Sequence, residues 1–241
     1  MWSGPRTIST AMMRSFGNRP DTVVVDEPLY AAYLRATGLD HPGREEILAS
    51  QDDDWRRVTA ALVGPVPGGH AVYYQKHMTH HLLPQTGRDW LGGVTNAFLV
   101  RDPAGVVASY ARVRAEPTLE DLGYPQQVEI FRACADLTGT LPPVVDADDL
   151  LADPRAVLLA LCARLGIDFD ERMLSWPPGP RPTDGVWARH WYASVDRSTR
   201  FGPPPSVRPQ VPDRLSGLLE RCLPYYAELH PHRLTGTSQA S

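Results

Sequence analysis

Two short segments of this chain carry residue types suited to holding the phosphate ends of one nucleotide. The first is Ser3-Gly4-Pro5-Arg6-Thr7-Ile8-Ser9-Thr10, a loop of small residues running into a helix. The second is Phe98-Leu99-Val100-Arg101-Asp102-Pro103, an apolar strand ending in Arg, with Ser109 eight residues beyond that Arg. Backbone N–H groups at the start of a helix bind anions. A strand-terminal Arg offers a second phosphate its planar fork of donors. A ligand phosphorylated at both ends of a nucleoside needs both grips, which points to a nucleotide-dependent transferase. Taken alone, the first loop also fits a capped turn before a helix. It lacks the Gly-Lys-Ser/Thr ending that places a hydroxyl on magnesium, so no metal–nucleotide grip is visible.

Acid–base candidates lie between these segments. Glu27, in Asp26-Glu27-Pro28, follows an apolar run, and Pro28 is expected to keep it extended. A carboxylate buried in a cleft can have its pKa raised into the range useful for a base. The bland alternative is a surface or helix-cap carboxylate. Lys76 is the one lysine among 24 Lys and Arg residues, a bias under which its survival hints at a chemical role that Arg does not fill. His77 beside it is a second candidate base, since imidazole needs little tuning. His77, His80 and His81 fit no familiar zinc spacing and otherwise read as hydrogen-bonded loop histidines.

The elements that must position these groups alternate between strand-like and helix-like patterns. Ile8, Met12, Met13 and Phe16 recur at helical spacing, with Gly17 as a stop. Thr22–Val25, Ala71–Gln75, Ala97–Val100 and Pro143–Asp146 read as buried strands. Asp102 and Pro103 open one helix, and Pro154 opens another that ends at Gly166. This predicts an α/β fold with a mostly parallel central sheet flanked by helices, in one domain over residues 1–234, with a frayed tail over 235–241. Glu27, Lys76 and Arg101 each fall just after a strand-like run, where such sheets bind ligands. An aromatic segment from Trp187 to Phe201, containing Trp191, reads as an ordered loop or lid over base, acceptor or core. The segments 31–54 and 116–127 give no assignable pattern.

Composition narrows the class. The chain has 241 residues, 42% hydrophobic and 22% charged, as a globular protein does. A net charge of −4 gives no reason to expect nucleic acid, and no apolar run is long enough for a membrane span. Cys134, Cys162 and Cys222 have neither metal nor disulfide spacing, so buried thiols and a cytoplasmic location are expected. A monomer or homodimer is anticipated.

Together the motifs resemble the sulfotransferases that use 3′-phosphoadenosine 5′-phosphosulfate (PAPS). Pro5-Arg6-Thr7-Ile8-Ser9-Thr10 is similar to their 5′-phosphosulfate loop, and Arg101 with Ser109 to their 3′-phosphate grip. Val145 to Leu150, with Asp153-Pro154 and Leu165-Gly166-Ile167, resembles a downstream strand–helix segment, and Lys76-His77-Met78 a Lys-x-His stretch. The resemblance covers roughly residues 3–176. It implies a P-loop-like fold and sulfuryl transfer from PAPS to a hydroxyl or amine of a small molecule, releasing adenosine 3′,5′-bisphosphate (PAP). Gly4 to Thr10, Arg101 and Ser109 would hold the nucleotide, with Arg6, Glu27, Lys76 and His77 at the chemistry and no metal. Glu27 is the preferred base because His77 does not register with the family pattern. Three departures stand out. Ile8 replaces a usual Gly, Ala11 replaces a Trp that many members stack on adenine, and Met1-Trp2 looks too short for the strand expected before the loop.

Overall fold

The computed structural model describes residues 1–114, 116–204, 207 and 209–235. Five strands form one sheet: β1 (Trp2–Ser3), β2 (Thr22–Asp26), β3 (Val72–Met78), β4 (Phe98–Val100) and β5 (Val144–Asp146). Their order is β2-β3-β1-β4-β5 and every pairing is parallel. Around it lie α1 (Ser9–Gly17), α2 (Tyr30–Thr37), α3 (Arg44–Ser50), α4 (Trp55–Leu62), α5 (Pro103–Tyr110) and α6 (Leu119–Leu122). They are followed by α7 (Tyr124–Thr138), α8 (Ala147–Ala152), α9 (Pro154–Leu165), α10 (Ala188–Trp191) and α11 (Ser216–Leu229). The expected α/β architecture is thus present. Residues 236–241, most of the expected frayed tail, lie outside the described residues.

Side chains alternate across the sheet, and both faces are covered. Leu99 and Val145 pack with Met12, Phe16, Leu158 and Leu161 on one face. Phe98, Val100 and Val144 pack with Val128, Phe131 and Leu229 on the other. Each such side chain, fully buried, contributes ~1.5–3 kcal/mol.

The expectation of a missing strand before the loop is corrected. Trp2 and Ser3 pair with His77 and Met78 on one side and with Phe98 and Leu99 on the other, so two residues make the central strand. A strand this short holds because neighbours on both sides satisfy its backbone and Trp2 anchors it. The Trp2 indole donates to Asn96 Oδ1 at 2.9 Å and stacks on His77 at 4.3 Å.

Helix starts follow the capping residues. Asp102, Asp146 and Asp153 accept from backbone N–H groups of α5, α8 and α9, with Pro103 and Pro154 in the first turns. The structure adds α7 and α11, which the sequence reading did not assign; α11 carries Pro224 in its interior. Among the described residues, no helix is long and apolar enough to cross a membrane.

Candidate active site

The carboxyl ends of β1, β2, β3 and β4 open into a cleft of ≈ 410 Å³, lined by Arg6, Ile8, Ser9, Glu27, Lys76, Arg101 and Ser109, among others. The loop after β1 is built to expose its backbone. Arg6 (φ 62°) and Ile8 (φ 61°) both take the left-handed conformation, which costs an L-residue of order 1–3 kcal/mol. Ile8 therefore adopts the geometry for which related loops carry Gly. Thr7 is turned inward, its hydroxyl donating to Gly4 O at 2.8 Å. Gly4 sits so close to α6 that a Cβ would lie 2.6 Å from Leu122 O. Gly4 and Thr7 thus shape the loop, while Pro5, Arg6, Ile8, Ser9 and Thr10 line the cleft. No side chain caps the first turn of α1, so its N–H groups are left for a ligand.

The Arg at the end of β4 meets this loop. Arg101 Nη1 donates to Arg6 O at 2.8 Å, and Arg6 Nε donates to Ser109 Oγ at 2.9 Å. The Arg101 guanidinium lies against Gly105, where a Cβ would come within 3.2 Å of Nε. No ion pair to a carboxylate is found for either Arg among the described residues. Burial, together with Arg101 and Arg112, pushes the Arg6 guanidinium below its ordinary pKa. Two neighbouring cations without a carboxylate partner among the described residues create a local positive potential.

On the β2–β3 side the charge is balanced internally. Asp26 and Lys76 are register partners, and Glu27 N donates to Lys76 O at 2.9 Å. Lys76 Nζ donates to Asp26 Oδ1 and to Tyr192 Oη, each at 2.9 Å, and to Glu27 Oε1. Burial alone would lower the Lys76 pKa, but Asp26 and Glu27 outweigh it and hold the ammonium charged. Burial raises the Glu27 carboxyl above the usual range; Lys76 opposes this and Asp26 adds to it. Glu27 is neither a surface group nor a helix cap. It is also not extended: its φ of 43° is left-handed, a conformation Pro28 permits while disfavouring the right-handed helix. All three non-glycine residues with positive φ among the described residues line this cleft. With its three N–H groups engaged, Lys76 forms a charged wall of the cleft and has no spare donor for a ligand.

His77 is removed from the chemistry. It follows Lys76 within β3, so it points through the sheet to the opposite side, against Trp2 and Trp90 and toward Gln75. It lines a separate cavity of ≈ 290 Å³, and burial drives its pKa well below the ordinary value. The sequence reading ended the strand at Gln75, which left both residues free to face one way. His80 and His81 line the cleft instead, and burial lowers them, His80 to about 4. The lid candidates divide similarly. Trp191 lines the cleft, whereas Trp187 is buried beside Tyr30, its indole donating to Tyr192 Oη at 3.3 Å. The sequence reading singled out neither Asp26 nor Tyr30 as site residues. It also passed over Arg14, buried on α1, which forms ion pairs with Asp184, just before the aromatic segment, and with Asp196 within it. No local signal marked it: Arg14 falls opposite the apolar stripe of Ile8, Met12, Met13 and Phe16, and its partners lie 170 and 182 residues away.

A family model for the sulfotransferase domain matches residues 1–232. The chain belongs to the sulfotransferase domain family. The sulfotransferase domain described here is 39% identical over 231 residues to branched-chain-amino-acid aminotransferase-like protein 1 of Arabidopsis thaliana and 36% identical over 231 residues to protein 2. Each match covers 96% of this chain and 41% of the relative, so the chain spans about two-fifths of their length. A sulfotransferase from Alicyclobacillus acidocaldarius shares the fold, with a TM-score of 0.55 at 14% identity over 97% of this chain and 95% of that one.

Proposed function

We propose that this sulfotransferase domain transfers a sulfuryl group from PAPS to a hydroxyl or amine of a small-molecule acceptor. The observation that carries the reading is the Arg6–Arg101 pair, two cations without carboxylate partners among the described residues, at the ends of adjacent strands and beside a helix start that no N-cap side chain caps. That arrangement suits a ligand with separated anionic groups. Arg101 and Ser109 would take the 3′-phosphate, and the loop from Pro5 to Thr10 the 5′ end.

PAPS supplies an activated sulfuryl group on a phosphate oxygen. Arg6, Ser9 and Thr10 line the cleft, and the guanidinium and the two hydroxyls would offset charge that gathers on that oxygen as its bond to sulfur breaks. Glu27 takes the proton as the acceptor oxygen or nitrogen bonds to sulfur. The aromatic and imidazole rings of Tyr30, His41, His80, His81 and Trp191 line the remaining space and exclude water from the acceptor.

Isothermal titration compares PAP with magnesium-ATP, and transfer of labelled sulfate from PAPS is followed with a panel of acceptors. PAP is expected to bind and magnesium-ATP to bind far more weakly. Preference for magnesium-ATP would contradict the reading and favour phosphoryl transfer.

A further inference from the structure

Two carboxylates share the one buried ammonium of the cleft, and their surroundings differ. Asp26 is sealed, its side chain 1% exposed, and both oxygens are occupied. Oδ1 accepts from Lys76 at 2.9 Å; Oδ2 accepts from the Tyr192 hydroxyl at 2.6 Å and from Gly185 N at 3.3 Å. Glu27 lines the cleft, and its side chain keeps 10% exposure. Its Oε1 accepts from Lys76, whereas His81 Nδ1 stands 3.9 Å from Oε2, beyond hydrogen-bond reach.

We propose that Asp26 and Tyr192 are positioning residues for the proton transfer: together they hold the Lys76 ammonium, so that Glu27 takes the acceptor's proton at Oε2 without leaving a buried cation unpaired. This rests on the sulfuryl-transfer reading of the cleft. A buried ammonium whose only counter-charge is neutralised is strongly destabilised. With both Asp26 oxygens saturated by donors, the proton has one place to go, the Glu27 carboxylate that lines the cleft. Glu27 then cycles between carboxylate and acid while the Asp26–Lys76 pair stays intact. The acceptor loses the proton, Glu27 gains it, and it later passes to solvent through the cleft.

The cover segment fixes the arrangement from the other side. Tyr192 closes α10, and Arg14 holds the flanking Asp184 and Asp196. The other titratable groups facing the cluster are Tyr30, Tyr74, His80 and His81. Burial raises both tyrosines and lowers both histidines, so each is neutral near pH 7 and none competes as a counter-ion.

The test substitutes Asp26→Asn, which keeps shape but removes charge, and Tyr192→Phe, which keeps packing but removes the hydroxyl. The Glu27 carboxyl is titrated by infrared difference spectroscopy, its protonated C=O band assigned by its absence in Glu27→Gln. In Asp26→Asn, Glu27 becomes the sole counter-charge of Lys76, so its midpoint should fall by about one pH unit or more. Tyr192→Phe should move it the same way by less, because the freed N–H turns to the carboxylates. In turnover, the acid limb of kcat moves down with the midpoint and kcat drops by about tenfold, while PAP affinity stays within about twofold. An unchanged midpoint in both variants would overturn the proposal whether or not the protein transfers sulfate. So would a loss of PAP affinity in step with kcat. Absence of PAP binding and transfer in the unsubstituted protein, with the midpoint falling as expected, would instead count against the sulfuryl-transfer reading.

Discussion

At one end of the cleft Arg6 and Arg101 meet with no carboxylate paired to either among the described residues, Arg101 reaching the Arg6 carbonyl and Arg6 reaching Ser109. At the other end Lys76 gives each of its three N–H groups to a protein oxygen. Both regions place a basic side chain at the cleft, yet one leaves its cations without a carboxylate among the described residues and the other surrounds its cation with two. Uncompensated guanidinium groups raise the energy of the empty cleft and are relieved by an anion that arrives from solution. A saturated ammonium has nothing to offer a ligand and instead sets the charge state of its neighbours. On the proposed reading the difference separates residues that would bind the ligand from those that would tune a base, although Arg6 and Arg101 follow β1 and β4 and Lys76 lies within β3 of the same sheet.

Substitutions at the two ends should therefore fail in different ways. The largest effect is expected at the tuned end. Glu27→Gln keeps shape and hydrogen bonding but removes the basic lone pair, so kcat should drop by ~10²–10⁴-fold with little change in PAP affinity. A base works only when deprotonated, so the normal rate falls as pH drops through the Glu27 pKa. Burial raises that pKa, which puts the acid limb above the usual carboxylate range, and the Gln variant should lack the limb. A pH–rate profile checks both points, with His77→Asn as the contrast that keeps the limb and nearly all of the rate.

At the binding end the effect is smaller and appears in both constants. Arg6→Ala should lower kcat by ~10²-fold and weaken PAP, since the same guanidinium meets the ligand in ground and transition states. Arg6→Lys should recover part of the loss. Steady-state kinetics with PAP titration would show whether the two constants move together; normal turnover in Arg6→Ala would erase the contrast between the ends.

Much of this was legible in the chain. Asp102-Pro103 and Asp153-Pro154 announce helix starts through local capping chemistry, and apolar runs at residues 22–25 and 97–100 announce strands. The Pro5–Thr10 loop and Arg101 could be singled out because their pattern is one of short-range spacing. What the sequence hid depends on register and on distant contacts. Three further strand residues past Gln75, Lys76 to Met78, decide that Lys76 faces the cleft and His77 the opposite side. Asp26 gains its meaning from Tyr192, 166 residues away. Trp2 and Ser3 form a strand only because two neighbouring strands supply every partner. The left-handed Ile8 shows that a loop can keep its geometry without the expected Gly, with the cost met by the packing around it.

The central claim is that Arg101 reads a phosphate at the far end of the nucleotide from the reacting sulfate. Isothermal titration of Arg101→Ala with PAP and with adenosine 5′-phosphosulfate, which lacks the 3′-phosphate, tests it directly. PAP binding should weaken by ~2–3 kcal/mol, the scale of a lost charge-assisted contact, while adenosine 5′-phosphosulfate binding stays nearly constant. Equal loss for both ligands would show that Arg101 does not discriminate the 3′-phosphate and would contradict the account.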